Sequence, residues 1–166
     1  MDKIYFEKIE GYDVKMPAYG TQFSAGIDCC LPNYTDEQAR DMLEGCDIVR
    51  LEDGKMRIII HPDQIVKIPL GLKCAFDNKY VLMAKNRSGL SLKGLTKLAQ
   101  VVDSDYRGQL FVSLYNCGRE KIKLDAGDRI IQFVLVPYIH AEIHEGIPDE
   151  LKDTERGAGG FGSTGR

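Results

Sequence analysis

An all-β fold of the antiparallel sandwich, jelly-roll or barrel kind is predicted by three features of the sequence. Short runs of strand formers recur through the middle and later chain, turn-forming clusters separate them, and strands do not alternate with long amphipathic helices. Met56-Arg57-Ile58-Ile59-Ile60 is a β-branched run closed by His61-Pro62. Gln64 to Ile68 and Tyr80 to Met83 follow, and Lys121-Ile122-Lys123-Leu124 alternates polar and apolar residues. Leu110 to Tyr115, Lys121 to Leu124 and Ile130 to Val136 complete the set. Pro62-Asp63, Asp77-Asn78, Asn116-Cys117-Gly118 and Asp125-Ala126-Gly127-Asp128 supply the turns between them.

One helix is legible. Thr35-Asp36-Glu37-Gln38 has the form of a capping box, Ala39, Met42 and Leu43 follow at helical spacing, and Gly45 suits the stop. Residues 1–140 therefore read as one β domain that carries a helical insertion at about 33–46, a decorated loop on this reading. After Pro137 the chain turns polar and then glycine-rich, so residues 141–166 read as a flexible C-terminal arm unable to offset its own ordering entropy.

Composition narrows the functional classes. The 166 residues suit a single domain, and 43% hydrophobic with 28% charged residues excludes wholesale disorder. Apolar runs stop well short of the ~20 residues of a membrane span, and the start lacks a signal-peptide pattern, so a cytoplasmic protein without membrane contact is expected. Lys and Arg number 22 against 25 Asp and Glu, a net −3 that argues against coating nucleic acid but permits a small basic pocket. Cys29, Cys30, Cys46, Cys74 and Cys117 form no C-x-x-C pair and read as free buried thiols. His140 and His144 fail the H-E-x-x-H zinc pattern by one position and read as ordinary surface or strand residues.

Five segments carry candidate chemistry. Ala25-Gly26-Ile27-Asp28 sets a carboxylate at a strand start. Arg87-Ser88-Gly89-Leu90 gathers a guanidinium, a hydroxyl and an amide exposed by glycine, a compact set for phosphate. Val101 to Gly108 runs from two apolar residues into an Asp-Ser-Asp-Tyr-Arg-Gly turn. Its bland reading is a hairpin turn; its functional reading uses Asp103 as general base or metal partner beside the aromatic Tyr106. Gly127 to Gln132 places an amide, Gln132, in an apolar strand where it needs a partner. Arg156 to Gly165 matches G-x-G-x-x-G, yet no strand leads in and no helix can follow, so it is not a dinucleotide fingerprint. Glycine amides, Arg156 and a lone Phe161 suit phosphate and a planar base instead, with stacking worth ~1–3 kcal/mol.

In this order the five segments resemble the five motifs of the trimeric dUTPase family, from about residue 11 to the end of the chain. The sequence departs from the pattern at Asn86 (family Pro), Cys29 (family Leu) and Gln100 (family Gly), and the Leu90 to Gln100 segment is about a residue short. The resemblance implies a jelly-roll-like homotrimer whose three sites, at subunit interfaces, hydrolyse dUTP to dUMP and pyrophosphate with Mg²⁺. It implies that Asp103 orients and deprotonates the attacking water, Tyr106 excludes a 2′-hydroxyl, and Arg87, Ser88 and Gly89 bind phosphate. Gln132 would hold the α-phosphate and water, and Asp28 would steady the neighbouring arginine and the hydrated metal. The metal would be held by triphosphate and water, with no direct protein ligand. Arg156, Phe161, Gly162, Ser163 and Thr164 would close over the nucleotide from another subunit. An extended arm from Pro137 to Phe161 reaches ~80 Å, against a radius of gyration near ~15 Å for a compact chain of this length. The nearest alternatives are a dCTP deaminase of the same fold and a nucleotide-gated regulatory protein acting through the inserted helix.

Overall fold

The computed structural model describes residues 2–159. Thirteen strands and three short helices are formed: β1 Ile4–Lys8, β2 Ala18–Tyr19, β3 Ile27–Cys30, α1 Asp36–Met42, β4 Asp47–Arg50, β5 Met56–Ile60, β6 Ile65–Pro69 and β7 Leu72–Phe76. Then come β8 Tyr80–Lys85, α2 Ser88–Ser91, β9 Leu95–Lys97, β10 Val101–Val102, β11 Phe111–Asn116, β12 Ile122–Asp125, β13 Arg129–Pro137 and α3 Asp149–Lys152. All pairings are antiparallel. The sheets run β10-β8-β13-β3-β2, β6-β11-β9, β12-β5-β4 and β1-β7, so the expected all-β fold with one inserted helix is present.

Alternation along each strand explains the packing. Met56, Ile58 and Ile60 of β5 are fully buried, as are Val66 and Ile68 of β6, while Arg57 and Lys67 turn away. These residues meet Leu82, Leu114 and Phe133 in one core, where fully burying such a side chain stabilises by ~1.5–3 kcal/mol. Asn116 is the one buried polar side chain among the described residues. Its Nδ2 donates to the carbonyls of Ile60 and Glu120, each at 2.9 Å, and its Oδ1 accepts from Gly118 N.

α1 forms as its capping box directs. Thr35 Oγ1 accepts from Gln38 N at 3.2 Å, and Gln38 Oε1 accepts from Thr35 N at 3.0 Å. The helix is not peripheral: Ala39, Leu43 and the preceding Tyr34 are buried in the main core, so residues 33–46 seal the fold rather than decorate it. Arg50 ties β4 to the helix start through Asp36 and the Tyr34 carbonyl. The five thiols are free, but only Cys29 and Cys74 are buried; Cys30 and Cys46 are half-buried and Cys117 is exposed in a turn, which corrects the uniformly buried reading. Burial pushes the Cys46 and Cys74 thiols up to about 11. No helix among the described residues is long and apolar enough to cross a membrane.

Candidate active site

Three adjacent strands of the five-stranded sheet build a polar rung. Gln132 of β13 lies opposite Asp28 of β3 on one side and opposite Lys85 of β8 on the other. Ile27, Cys29, Ala84 and Phe133, their chain neighbours, face the core, so Asp28, Gln132 and Lys85 share the opposite face. Arg87, just past the end of β8, folds back across this face: its Nε donates to Asp28 Oδ1 at 2.9 Å and its Nη1 to the Arg129 carbonyl at 3.1 Å. Arg129 Nη1 donates to the other Asp28 oxygen at 3.2 Å. Asp28 thus holds two guanidiniums, the partnership the sequence assigned to one of them.

Gln132 finds its partner in the main chain, Nε2 donating to the Asn86 carbonyl at 2.7 Å. Gly26 makes room for it, since a Cβ there would stand 2.0 Å from Gln132 Oε1. Asn86, where the family pattern has proline, works as a clasp: its Oδ1 accepts from Lys97 N at 2.8 Å and its Nδ2 donates to Thr96 Oγ1 at 2.9 Å. Arg87 to Leu90 forms a helical turn, with Arg87 as N-cap and Ser91 N donating back to the Arg87 carbonyl at 3.0 Å. Ser88 and Gly89 are exposed on it, and nothing lies within 4 Å of the Gly89 Cβ position. A phosphate oxygen has open access there.

The Asp103 loop is not a hairpin. β10 before it pairs with β8, whereas β11 after it pairs with β6 and β9, so the loop crosses between two sheets. A turn bond from Tyr106 N to the Asp103 carbonyl shapes it, and Tyr106 Oη donates to the Gln109 carbonyl at 2.7 Å. Gly108 is required beneath the ring: a Cβ there would lie 2.4 Å from Tyr106 Oη. Val102, Asp103, Tyr106, Gln109 and Phe111 line a cavity of about 210 Å³, open to solvent, with the exposed Asp103 at its edge.

These two clusters do not meet within one chain. Val102 pairs with Leu82, so Asp103 lies off one end of β8 while Arg87 lies off the other. At ~3.3 Å per residue the separation is roughly 20 Å. Between them runs a half-exposed apolar face of Val81, Met83, Val134 and Val136, with Val101 57% exposed beside Met83. In the arm, Arg156 Nε donates to the Gly159 carbonyl at 2.8 Å, and Phe161, Gly162, Ser163 and Thr164 lie outside the described residues. Ile139, Ile143, Ile147 and Leu151 of the segment leading to it are all exposed.

The dUTPase family model matches residues 45–165. The deoxyuridine 5′-triphosphate nucleotidohydrolase of Desulfotalea psychrophila is 36% identical, over 98% of this chain and 97% of its own, which brings the Asp28 segment into the match. The chain belongs to the dUTPase family. Among solved structures it resembles a Staphylococcus bacteriophage 80alpha dUTPase variant with dUpNHpp, with a TM-score of 0.73, 20% identity and 100% of both chains covered, a likeness of fold. It also resembles a dUTPase variant of phage phi11 of S. aureus whose structure details a structural Mg(II) ion; the TM-score is 0.66 at 16% identity, over 90% of this chain and 99% of that one.

Donor chemistry decides how a dUTPase of this sequence can hold magnesium. Among the described residues no three His, Cys, Asp or Glu side chains gather into a metal-binding group. Asp28 has a guanidinium on each oxygen, whereas Asp103 lines its cavity with no ion pair among the described residues. That set fits Mg²⁺ bound chiefly by phosphate oxygens and water, the usual habit of this ion. Sequence reading missed Lys85, Arg129 and the clasp made by Asn86. Lys85 was detectable from its alternate position in the β8 pattern, whereas the Asn86 clasp exists only once β8 and β9 are brought together.

Proposed function

We propose that this chain hydrolyses dUTP to dUMP and pyrophosphate at sites shared between copies of a homotrimer, acting on the nucleotide pool of the cytosol. The observation that carries the reading is the division of the site: a cavity with Asp103 and Tyr106 at one end of β8, and an arginine–amide phosphate cradle at the other. One nucleotide spans both only if the two ends come from different copies, and burying the apolar face between them would bring copies together.

In this arrangement Tyr106 underlies the deoxyribose, its hydroxyl fixed on Gln109 so that the ring leaves no space for a 2′-oxygen. Asp103, an exposed carboxylate at the cavity edge, takes the proton of the water attacking the α-phosphorus. Gln132, held by Asn86, keeps the α-phosphate and that water in register. Arg87, Ser88 and the Gly89 amide receive phosphate oxygens, Arg87 being aimed by Asp28. Mg²⁺, if held by phosphate oxygens and water with Asp28 nearby, would neutralise charge on the departing pyrophosphate. Arg156, Phe161, Gly162, Ser163 and Thr164 close the site, with Arg156 on the γ-phosphate and Phe161 on uracil.

Pyrophosphate release measured across dUTP, UTP, dTTP and dCTP, with and without Mg²⁺, tests the reading. Selective, magnesium-dependent release from dUTP is expected. Ammonia release from dCTP, or equal turnover of dUTP and UTP, would overturn it.

A further inference from the structure

The rung through Asp28 and Gln132 has a third member that belongs to none of the five motifs. Lys85 lies directly opposite Gln132, and such cross-strand neighbours hold their Cβ atoms about 4.5–5.5 Å apart on one face. Its direction is fixed from both sides. Ala84 before it is buried in the core, and Asn86 after it is clasped to Thr96 and Lys97 while its carbonyl receives Gln132. Lys85 itself is exposed and enters no ion pair among the described residues.

Charge counting gives this residue a task. Arg87 and Arg129 both bond to Asp28, so the two guanidiniums and one carboxylate leave a single net positive charge. A triphosphate brings about four negative charges, more than one net positive charge can balance. An ammonium on a flexible four-carbon stem supplies a mobile point charge with three donors, complementing the fixed fork of Arg87.

We infer that Lys85 binds a phosphate group of the nucleotide beside Gln132, supplying the positive charge that Asp28 removes from the arginine pair. The inference rests on the reading that this rung receives the phosphates. It is tested on the full chain with Lys85→Met, which keeps the length of the side chain, and Lys85→Arg, which keeps the charge. Binding of the analogue dUpNHpp is measured by titration calorimetry, dUTP turnover by pyrophosphate release, and assembly by sedimentation. Lys85→Met is expected to raise Kd and KM about ten-fold with kcat changed less than about two-fold, the size of one charge-assisted contact. Lys85→Arg should recover most of the loss, and added salt should weaken wild type more than Lys85→Met. Wild-type Kd and KM in Lys85→Met would overturn the assignment of Lys85 alone. Failure of the wild-type protein to bind dUpNHpp would overturn the phosphate-cradle reading, and this inference with it.

Discussion

Gly26→Ala is a one-carbon test of the cradle. The added Cβ would sit 2.0 Å from Oε1, 2.9 Å from Cδ and 3.2 Å from Cβ of Gln132. Oxygen and carbon in contact need roughly 3.3 Å, so the carboxamide must swing by more than about an ångström. That movement breaks its 2.7 Å bond to the Asn86 carbonyl. The lost hydrogen bond costs ~0.5–1.5 kcal/mol and a displaced rotamer ~0.5–1.5 kcal/mol, so stability should fall by about 1–3 kcal/mol. The far end of a half-buried glutamine can move, so the fold survives. The substrate cannot follow, and kcat/KM for dUTP should fall about 10- to 100-fold, one to two decades for a misplaced polar contact. Urea unfolding and pyrophosphate release are measured for Gly26→Ala, Gln132→Ala and the double variant. With only Cβ left at position 132, Gly26→Ala should cost little further stability, giving a coupling of about 1 kcal/mol or more. Wild-type unfolding and turnover in Gly26→Ala, or strictly additive losses in the double variant, would refute the packing argument.

Other consequences are as direct. Asp103→Asn should leave dUpNHpp binding within a few-fold of wild type while turnover collapses by three or more orders of magnitude on the order expected for a lost base with its water misplaced, and calorimetry beside a pyrophosphate assay separates the two effects. Tyr106→Ala should raise UTP turnover relative to dUTP, an unchanged ratio removing the steric gate. Asn116→Ala should destabilise by ~1–3 kcal/mol, because the buried Ile60 carbonyl and two part-buried backbone groups lose their partner at once, and urea titration reads this directly. Acid unfolding carries a sign set by Asp125. Its hydrogen bond to Arg57 holds the carboxyl below its usual range, so the stability it contributes is present above about pH 4 and is lost as pH falls through the depressed value. Asp125→Asn should therefore show a shallower loss of urea resistance as pH falls below about 4, and the effect should be modest because the pair is one-third exposed.

Much of the fold was legible because its strongest signals are local. The capping box at Thr35 depends on residues three apart, and the β5, β6, β8, β11, β12 and β13 runs announce themselves by β-branched residues between turns. β1, β2, β4, β7 and β9 escaped notice because they are short, exposed or mixed in composition, and pairing partners far along the chain decide them. The Asp103 loop shows the same limit. Its Asp and Gly residues suit a hairpin, yet the partners of β10 and β11 are chosen by burial, and they lie in different sheets. Asp28, Arg87 and Gln132 were named as site residues from motif order, and the fold joins them through one rung. Lys85 shares that rung without any motif to mark it, so only strand register brings it into view, whereas Arg129 lies inside the Gly127 to Gln132 segment and only its bond to Asp28 had to await the fold.

The central claim is that Asp103 of one copy and Arg87 of another serve the same nucleotide. Asp103→Asn and Arg87→Ala chains, each inactive alone, are mixed, unfolded and refolded together, and subunit exchange is confirmed by native mass spectrometry. In a cyclic trimer every mixed assembly holds one intact site of its three, so a random equal mixture should recover about a quarter of wild-type dUTP turnover. Mixed trimers that stay as inactive as their parents would place both residues in one chain's site and contradict the account.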